Sequence, residues 1–187
     1  MERELMLSGI GGQGVQLAGQ VLACAAVHEN RYVSMFALYE GMVRGGATQS
    51  ILVFADSPIE TPPIVSNTWS AIAMHEHHFS ELAGKLRPEG LVLVNSDVFD
   101  SSPVCNGATV AEIPATSMAA GLGSPMCASM VMAAAYAKAT GLVGLDSLIE
   151  AMKDALPAYR SQHMELNERA LVAGFDSTGP AAPAWSS

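Results

Sequence analysis

The sequence predicts an α/β fold with three layers, α/β/α, a mostly parallel sheet and a helical C-terminal part. Two observations support this prediction. Short apolar runs typical of buried strands alternate with helical segments up to Ile113, and only helical patterns follow from Ala115 onward. Strands that alternate with helices indicate a layered α/β sheet, on which the later helices should pack or from which they should project as an arm. The length of 187 residues favours one domain.

The strands are located by apolar runs that glycine, proline and polar residues interrupt. We predict six strands, at Leu5–Gly9, Tyr32–Ala37, Thr48–Ala55, Trp69–Met74, Leu91–Asn95 and Thr109–Ile113. Three prolines between the third and fourth strands indicate an extended connection. Before the fifth strand, Arg87-Pro88-Glu89-Gly90 has proline at the second position of a predicted turn.

The helices are located by longer segments rich in Ala, Leu, Val and Met. We predict helices at Gln13–Glu29, His77–Leu86, Ala115–Leu122, Met126–Thr140, Leu145–Leu156 and Pro157–Val172. We expect the domain to span residues 1–175 and a C-terminal tail to span residues 176–187. The tail sequence, DSTGPAAPAWSS, is typical of disorder unless Trp185 is held in place, for example in a partner's pocket.

The composition argues against several classes of protein. Half of the residues are hydrophobic, 14% are charged and the net charge is −9. An acidic chain with nine Lys and Arg residues is a poor candidate for binding nucleic acid or an anionic membrane. No stretch reaches the ~18 uninterrupted apolar residues of a membrane span. We therefore expect a cytoplasmic protein that buries apolar surface in a core or in contacts with other subunits.

Cysteine and histidine do not form a metal-binding pattern. Cys24, Cys105 and Cys127 are far apart and form no CxxC motif, which argues against a disulfide framework and against an iron–sulfur site held by this chain alone. His75-Glu76-His77-His78 has the composition of a metal site, but it follows a predicted strand, where a solvated turn is the better interpretation. We predict no metal ligands in this chain.

The first glycine cluster, SGIGGQG at residues 8–14, lies between the first strand and the first helix. Gly9, Gly11 and Gly14 match the GxGxxG pattern of dinucleotide-binding loops, whose amides at a helix start can face an anion. That pattern also requires an acid at the end of the second strand, and Phe36-Ala37-Leu38 contains none, which disfavours NAD. The alternative is a tight turn packed on a neighbour, in which the Gln13 amide reaches a ligand or a backbone group.

The second glycine cluster ends the segment Tyr39-Glu40-Gly41-Met42-Val43-Arg44-Gly45-Gly46. A guanidinium between glycines can hold a phosphate or a carboxylate through two hydrogen bonds, which makes Arg44 a candidate binding residue. The alternative is an ion pair between Arg44 and Glu40 that stabilises the loop. In this segment the acidic residue is Glu40, directly after Tyr39, and position 42 is Met.

Taken together, the GxGGQG turn, the tyrosine-containing loop that ends in Arg44-Gly45-Gly46 and the segment SPIETPPIV at residues 57–65 resemble the gamma subunit of 2-oxoacid:ferredoxin oxidoreductases. The family loop is usually of the type Tyr-Gly-x-Glu-x-Arg-Gly-Gly, and this chain keeps the spacing of Tyr39 and Arg44. The resemblance covers nearly the whole chain. Later segments that agree with it are RPEGLVLVN at 87–95, IPAT at 113–116, TGLV at 140–143 and NERAL at 167–171, with Gly174.

The resemblance implies a function in a complex. Such enzymes oxidatively decarboxylate a 2-oxoacid on thiamine diphosphate and Mg, transfer the acyl group to coenzyme A and pass electrons through iron–sulfur clusters to ferredoxin. It implies that thiamine-binding alpha and beta subunits and a ferredoxin-like iron–sulfur subunit, or ferredoxin, are the partners that hold these cofactors. The gamma subunit is implied to assist assembly and access of coenzyme A, with no catalytic residue and no firmly bound cofactor of its own.

We therefore interpret the two glycine loops as a surface that faces coenzyme A or the thiamine-bearing subunits. The candidate binding residues are Gly9, Gly11, Gly12, Gln13, Gly14, Tyr39, Arg44, Gly45 and Gly46. Two alternatives remain open. One is an autonomous dinucleotide-binding oxidoreductase, and the other is a purely structural scaffold subunit whose glycine loops only pack.

Overall fold

The computed structural model describes residues 1–39, 45–60, 65–105, 107–156, 162–182 and 185. These residues form six strands, β1 (Glu2–Ile10), β2 (Tyr32–Tyr39), β3 (Ala47–Ala55), β4 (Thr68–Ala73), β5 (Leu86–Asn95) and β6 (Thr109–Ile113). They also form six α-helices, α1 (Val15–His28), α2 (Phe79–Lys85), α3 (Ala115–Leu122), α4 (Ala128–Thr140), α5 (Leu145–Ala155) and α6 (Met164–Asp176). Short 3₁₀ turns lie at Glu76–His78, Ser96–Val98 and Pro125–Cys127.

The strands form one sheet in the order β2-β3-β1-β4-β5-β6. β1, β4, β5 and β6 are parallel neighbours, whereas β3 runs antiparallel to both β1 and β2. Among the described strands, β3 alone therefore runs against the others, which confirms the mostly parallel sheet. We call the edge at which β1, β4, β5 and β6 end the carboxyl edge, and the edge at which they begin the amino edge.

Helices cover both faces of the sheet, as the three-layer prediction requires. Alternate residues of each buried strand face opposite layers, so that Leu5 and Leu7 belong to the main core with α1 and α4, while Met6 belongs to a smaller core with Leu82 of α2. In α4, every residue except Lys138 is buried. This explains why α4 is rich in Ala and Met, since it packs between the sheet and α6.

Close packing of α6 on α4 depends on one glycine. A Cβ atom placed on Gly174 would lie 2.1 Å from the Val131 carbonyl oxygen, a distance that no side chain tolerates. None of the helices within the described ranges is long and apolar enough to cross a membrane.

The six predicted strands are confirmed, with boundaries shifted by a few residues, but the turn at 87–90 is wrong. These residues belong to β5, which pairs with β4 in an irregular register between Thr68 and Ser70. The extra residues form a bulge, in which Glu89 has a φ of 65° and donates its N–H to the Gly107 carbonyl at 3.0 Å. A contact distant in sequence therefore replaces the local turn.

The predicted helices differ at their starts. α1 begins at Val15 rather than Gln13, because Gly14 has a left-handed conformation. The segment predicted as His77–Leu86 consists of a 3₁₀ turn followed by α2. The last helix covers Met164–Asp176 instead of Pro157–Val172, and residues 157–161 lie outside the described residues.

The C-terminal segment docks on its own domain. Trp185 is 4% exposed, and its backbone N–H donates to the Thr140 carbonyl at 3.2 Å. The Arg31 guanidinium lies 4.2 Å above its ring. Trp185 is therefore held in place, as one alternative predicted, but at the end of α4 in its own domain rather than in a partner's pocket. The domain boundary at residue 176 stays a prediction.

Candidate ligand-binding site at the glycine loops

The two glycine clusters meet at the carboxyl edge. In the register of β1 with β3, Gly9 lies opposite Thr48, and beyond the strands the Gly11 N–H donates to the Gly46 carbonyl at 2.9 Å. Tyr39 ends β2 at the same edge, but its side chain lies outside the described residues, as do Glu40 and Arg44. The two glycine clusters thus form one surface. The predicted contribution of the Arg44 guanidinium to this surface stays a prediction.

The first loop needs glycine for two different reasons. Gly12 and Gly14 have φ angles of 99° and 77°, which favour glycine because a Cβ atom is strained there. Gly9 is needed for space, since a Cβ atom would lie 2.7 Å from Oε1 of Gln13 and 2.9 Å from Cβ of Met74. The chain therefore turns sharply out of β1 and places the start of α1 at the carboxyl edge.

Gln13 holds this loop in place. Its side-chain Oε1 accepts the Ile10 N–H at 2.9 Å, and its Nε2 donates to the Met74 carbonyl at 3.1 Å. These bonds join the end of β1 to the residue that follows β4. Of the two interpretations left open by the sequence, the structure shows Gln13 reaching backbone groups, so it is a positioning residue for the loop.

The start of α1 has unpaired donors. The first backbone bond of the helix joins the Ala18 N–H to the Gly14 carbonyl, and no side chain caps the start. Among the described residues, the N–H groups of Val15, Gln16 and Leu17 have no partner. The first turn contains no acidic residue. A helix start of this kind carries a partial positive charge and presents donors to an anion.

A cavity of about 480 Å³, which we call the outer cavity, lies against these donors. Gly11, Gly12, Val15, Gln16 and Thr48 line it, and no described lining residue is acidic or basic. Thr48 is 5% exposed, and its hydroxyl has no hydrogen-bond partner among the described residues. A buried hydroxyl without a partner costs free energy that a bound ligand can recover. The outer cavity thus suits a ligand with an anionic group.

A second cavity of about 150 Å³, the inner cavity, lies on the other side of the glycine loop. It shares Gly12, Gly14, Leu17 and Met126 with the outer cavity. Its remaining walls come from the residues around the starts of α4 and α6 and the end of α5, including Ser129 and Asn167. The loop therefore separates two spaces of different size.

The described residues of this chain do not fit a metal or an iron–sulfur cluster. No group of three or more His, Cys, Asp or Glu residues within the described ranges is arranged to hold a metal ion. His75 Nδ1 instead accepts the His77 N–H at 3.1 Å, which makes the histidine segment a turn after β4. Cys24, Cys105 and Cys127 are free, and burial raises the pKa of the Cys105 and Cys127 thiols.

Sequence reasoning found the glycine loops but missed Thr48 and Asn167 as candidate site residues. A signal for Thr48 exists in the sequence, since Thr48 and Ser50 are small polar residues on the same face of a strand whose other residues, apart from Gln49, are apolar. Asn167 lies more than 150 residues from the glycine loop, and only the tertiary structure brings them together.

Comparison with known proteins gives consistent results. A family model described as pyruvate ferredoxin/flavodoxin oxidoreductase matches residues 4–177. The 2-oxoglutarate synthase subunit KorC of Methanocaldococcus jannaschii is 31% identical over 161 residues, covering 84% of this chain and 85% of that protein. The pyruvate synthase subunit PorC of Methanothermobacter marburgensis is 32% identical, covering 82% and 86%. The crystal structure of the keto/oxoacid ferredoxin oxidoreductase gamma subunit from Geobacter sulfurreducens has a TM-score of 0.80 at 26% identity, covering 94% and 95%.

Proposed function

Because this chain belongs to the family of gamma subunits of 2-oxoacid:ferredoxin oxidoreductases, we propose that it serves the coenzyme A side of such a complex. The proposed complex oxidatively decarboxylates a 2-oxoacid on thiamine diphosphate and forms the corresponding acyl-CoA. In this proposal the gamma chain assists assembly and binds part of coenzyme A, and it supplies no catalytic residue. Alone, it is inactive.

The outer cavity is the observation that carries this proposal. Its volume of about 480 Å³ falls within the ~300–1,000 Å³ typical of sites for ligands of moderate size. The N–H groups of Val15, Gln16 and Leu17, which have no partner among the described residues, are donors beside it. Thr48 lines the cavity, and its buried hydroxyl also has no partner within that part of the chain. The pyrophosphate of coenzyme A is an anionic acceptor that matches these donors. Arg44, placed next to Gly45 by the sequence, is the proposed source of positive charge.

In this proposal the redox cofactors are bound by other subunits. Thiamine diphosphate and Mg belong to the alpha and beta subunits, and the iron–sulfur clusters belong to beta or to a ferredoxin-like subunit, with ferredoxin as the electron acceptor. The separate positions of the three free cysteines support this division. Anaerobic affinity purification from the native host tests it, because we expect thiamine-binding and iron–sulfur subunits in stoichiometric amounts. Recovery of the chain alone would contradict the proposal.

The substitution Thr48→Val tests the outer cavity in the assembled enzyme. It replaces the hydroxyl by a methyl group of the same shape, so we expect the KM for coenzyme A to rise about threefold to tenfold, the loss of one hydrogen bond. The kcat at saturating coenzyme A should not change. Ser50→Ala is the matched control, since Ser50 is a buried residue on the same face of β3 whose hydroxyl also has no partner among the described residues. Equal KM values for coenzyme A in Thr48→Val and Ser50→Ala would contradict the proposed role of Thr48.

The substitution Arg44→Ala tests the contribution that the sequence predicts for the second loop. We expect lower turnover or poorer use of coenzyme A, with an unchanged melting temperature of the gamma chain. Unchanged steady-state kinetics in the assembled enzyme would rule out this role for Arg44.

A structural scaffold is the second candidate function. The hydrogen bond from Gly11 to Gly46 and the two bonds of the Gln13 side chain favour it, because they show that much of the loop surface is used for internal packing. The two functions differ in their response to loop variants. A scaffold loses assembly and activity together, whereas a coenzyme A site loses affinity for coenzyme A while the complex remains assembled.

A further inference from the structure

The inner cavity has a polar end that the family assignment does not explain. Ser129 and Asn167 are 2% and 7% exposed, and both line this cavity. Neither side chain takes part in a hydrogen bond among the described residues, although a buried side-chain amide normally has at least one partner. Asn95 illustrates the normal case, because its amide donates to the Thr116 hydroxyl at 2.8 Å and accepts the Thr116 N–H at 3.3 Å.

Three helices begin at this cavity. The residues that precede the first turns of α1, α4 and α6 are Gly14, Cys127 and His163, and all three line the cavity. Among the described residues, the first turns of α1 and α6 have no side-chain cap, while Ser124 caps the 3₁₀ turn that leads into α4 by accepting the Met126 N–H at 3.3 Å. Each of these helices has 13 or 14 residues, so each directs the positive end of its dipole at the same small space.

Much of the remaining wall is apolar, although Ser124 and His163 also line it. Leu17, Leu156 and Leu166 face the cavity from α1, the end of α5 and α6. No described lining residue is Asp, Glu, Lys or Arg, so the helix starts supply most of the positive potential, and His163 is the one described lining side chain that can carry a positive charge. A phosphate with two negative charges would have no Lys or Arg partner among the described lining residues, whereas a single carboxylate needs less positive charge and only a few donors.

From these observations we propose that the inner cavity binds a small aliphatic monocarboxylate. Its carboxylate accepts hydrogen bonds from the Ser129 hydroxyl and the Asn167 amide at the helix starts, and its short hydrocarbon chain packs on the three leucines. The volume of about 150 Å³ is below the ~300 Å³ lower limit for drug-sized ligands, which restricts the site to a small molecule. This site adjoins the proposed coenzyme A site, but its polar side chains, Ser129 and Asn167, line the inner cavity alone, and the proposal does not depend on coenzyme A binding.

Calorimetric titration of the full chain with propionate at neutral pH and fixed ionic strength tests the proposal. We expect saturable binding of propionate, no binding of its neutral analogue propionamide, and no competition by inorganic phosphate. Thr48→Val, in the outer cavity, should leave the propionate affinity unchanged. Absence of saturable binding, equal binding of propionamide, or displacement by phosphate would each overturn the monocarboxylate assignment.

The substitution Asn167→Leu separates a binding role from a structural one. Because Leu has a similar size and replaces an amide for which no hydrogen bond is found among the described residues, we expect a melting temperature equal to or above that of the wild type, with propionate affinity reduced about tenfold or more. Asn95→Leu is the matched control, and it should lower the melting temperature because it breaks two hydrogen bonds. Loss of stability or of folding in Asn167→Leu would show that Asn167 is structural and would overturn the proposal. Ser129→Ala should also weaken propionate binding. An unchanged affinity of this variant for propionate would contradict the proposal.

Discussion

At the amino edge of the sheet, most buried polar side chains form hydrogen bonds with one another. At the carboxyl edge, several polar side chains line cavities and have no hydrogen-bond partner among the described residues. The Glu4 carboxylate is 10% exposed, pairs with the Arg87 guanidinium and accepts the Trp69 N–H. Next to it, the Ser70 hydroxyl lies 2.8 Å from both the Glu4 carbonyl and the Tyr136 hydroxyl. This network joins β1, β4, β5 and α4 and serves stability.

The carboxyl edge contains the unpaired Thr48 hydroxyl and the free N–H groups that begin α1. The amino edge has exceptions in Arg3 Nε and Trp185 Nε1, but each of these side chains takes part in a cation–π contact, Arg3 with Trp69 and Trp185 with Arg31. The difference teaches that unpaired buried groups beside a cavity indicate a ligand, while unpaired groups in a packed contact do not.

The largest effect is expected at the amino edge for Trp185→Ala. Removing this buried ring leaves a cavity beside Arg31 and frees the C-terminal segment, so we expect the free energy of unfolding to fall by about 3 kcal/mol in urea denaturation. Trp185→Phe retains a ring and removes the unpaired Nε1, and it should cost much less. Equal stability of Trp185→Ala and the wild type would show that the docked segment adds nothing.

Glu4→Gln should have the next largest effect. It keeps the shape of the side chain but removes the charge that pairs with Arg87, and we expect a loss of about 1–3 kcal/mol. Glu2→Gln on the same strand is the control, because Glu2 is exposed and should be nearly neutral. Similar losses in both variants would contradict the special role of the paired network.

Tyr136 allows the amino edge to be tested by pH. Burial raises the pKa of its hydroxyl above the usual value of 10.0, with a smaller opposing effect of the hydrogen bond with Ser70. The unfolded chain therefore releases this proton at lower pH than the folded chain, and stability should fall as pH rises above 10. The difference in unfolding free energy between wild type and Tyr136→Phe should shrink over that range. A difference in unfolding free energy that does not depend on pH would mean that folding does not raise the pKa of the Tyr136 hydroxyl.

The smallest effect on stability is expected at the carboxyl edge. Thr48→Val removes a hydroxyl that has no partner, so the free energy of unfolding should change by less than about 0.5 kcal/mol or increase. A loss comparable to that of Glu4→Gln would erase the contrast between the edges and would indicate that the Thr48 hydroxyl is bonded within the protein.

The sequence predicted the fold well where short-range patterns decide it. Apolar runs between glycine and proline were sufficient for six strands, and the alanine-rich composition located α4. The prediction from sequence failed where residues distant along the chain determine the structure. The bulge in β5 depends on Gly107, and the position of Trp185 depends on Arg31 and the end of α4.

The candidate site shows the same limit. The glycine loops were found because the φ angles of Gly12 and Gly14 demand a residue type that is visible in the sequence. Thr48 and Asn167 have no such local signature, since their unpaired side chains become significant only when the cavities form around them. The role of Gln13 depended on the backbone of Met74, which the sequence alone does not bring near it.

The edge strand β2 has a consequence for handling the isolated chain. Its segment Tyr32–Tyr39 contains no charged residue, it has one strand neighbour, and Tyr32, Phe36 and Leu38 are about half-exposed. Natural edge strands commonly carry charges or prolines that prevent uncontrolled strand-to-strand association. A recombinant chain produced without other subunits therefore risks aggregation along β2, and a lysine in place of Phe36 is a simple way to keep it dispersed at high concentration.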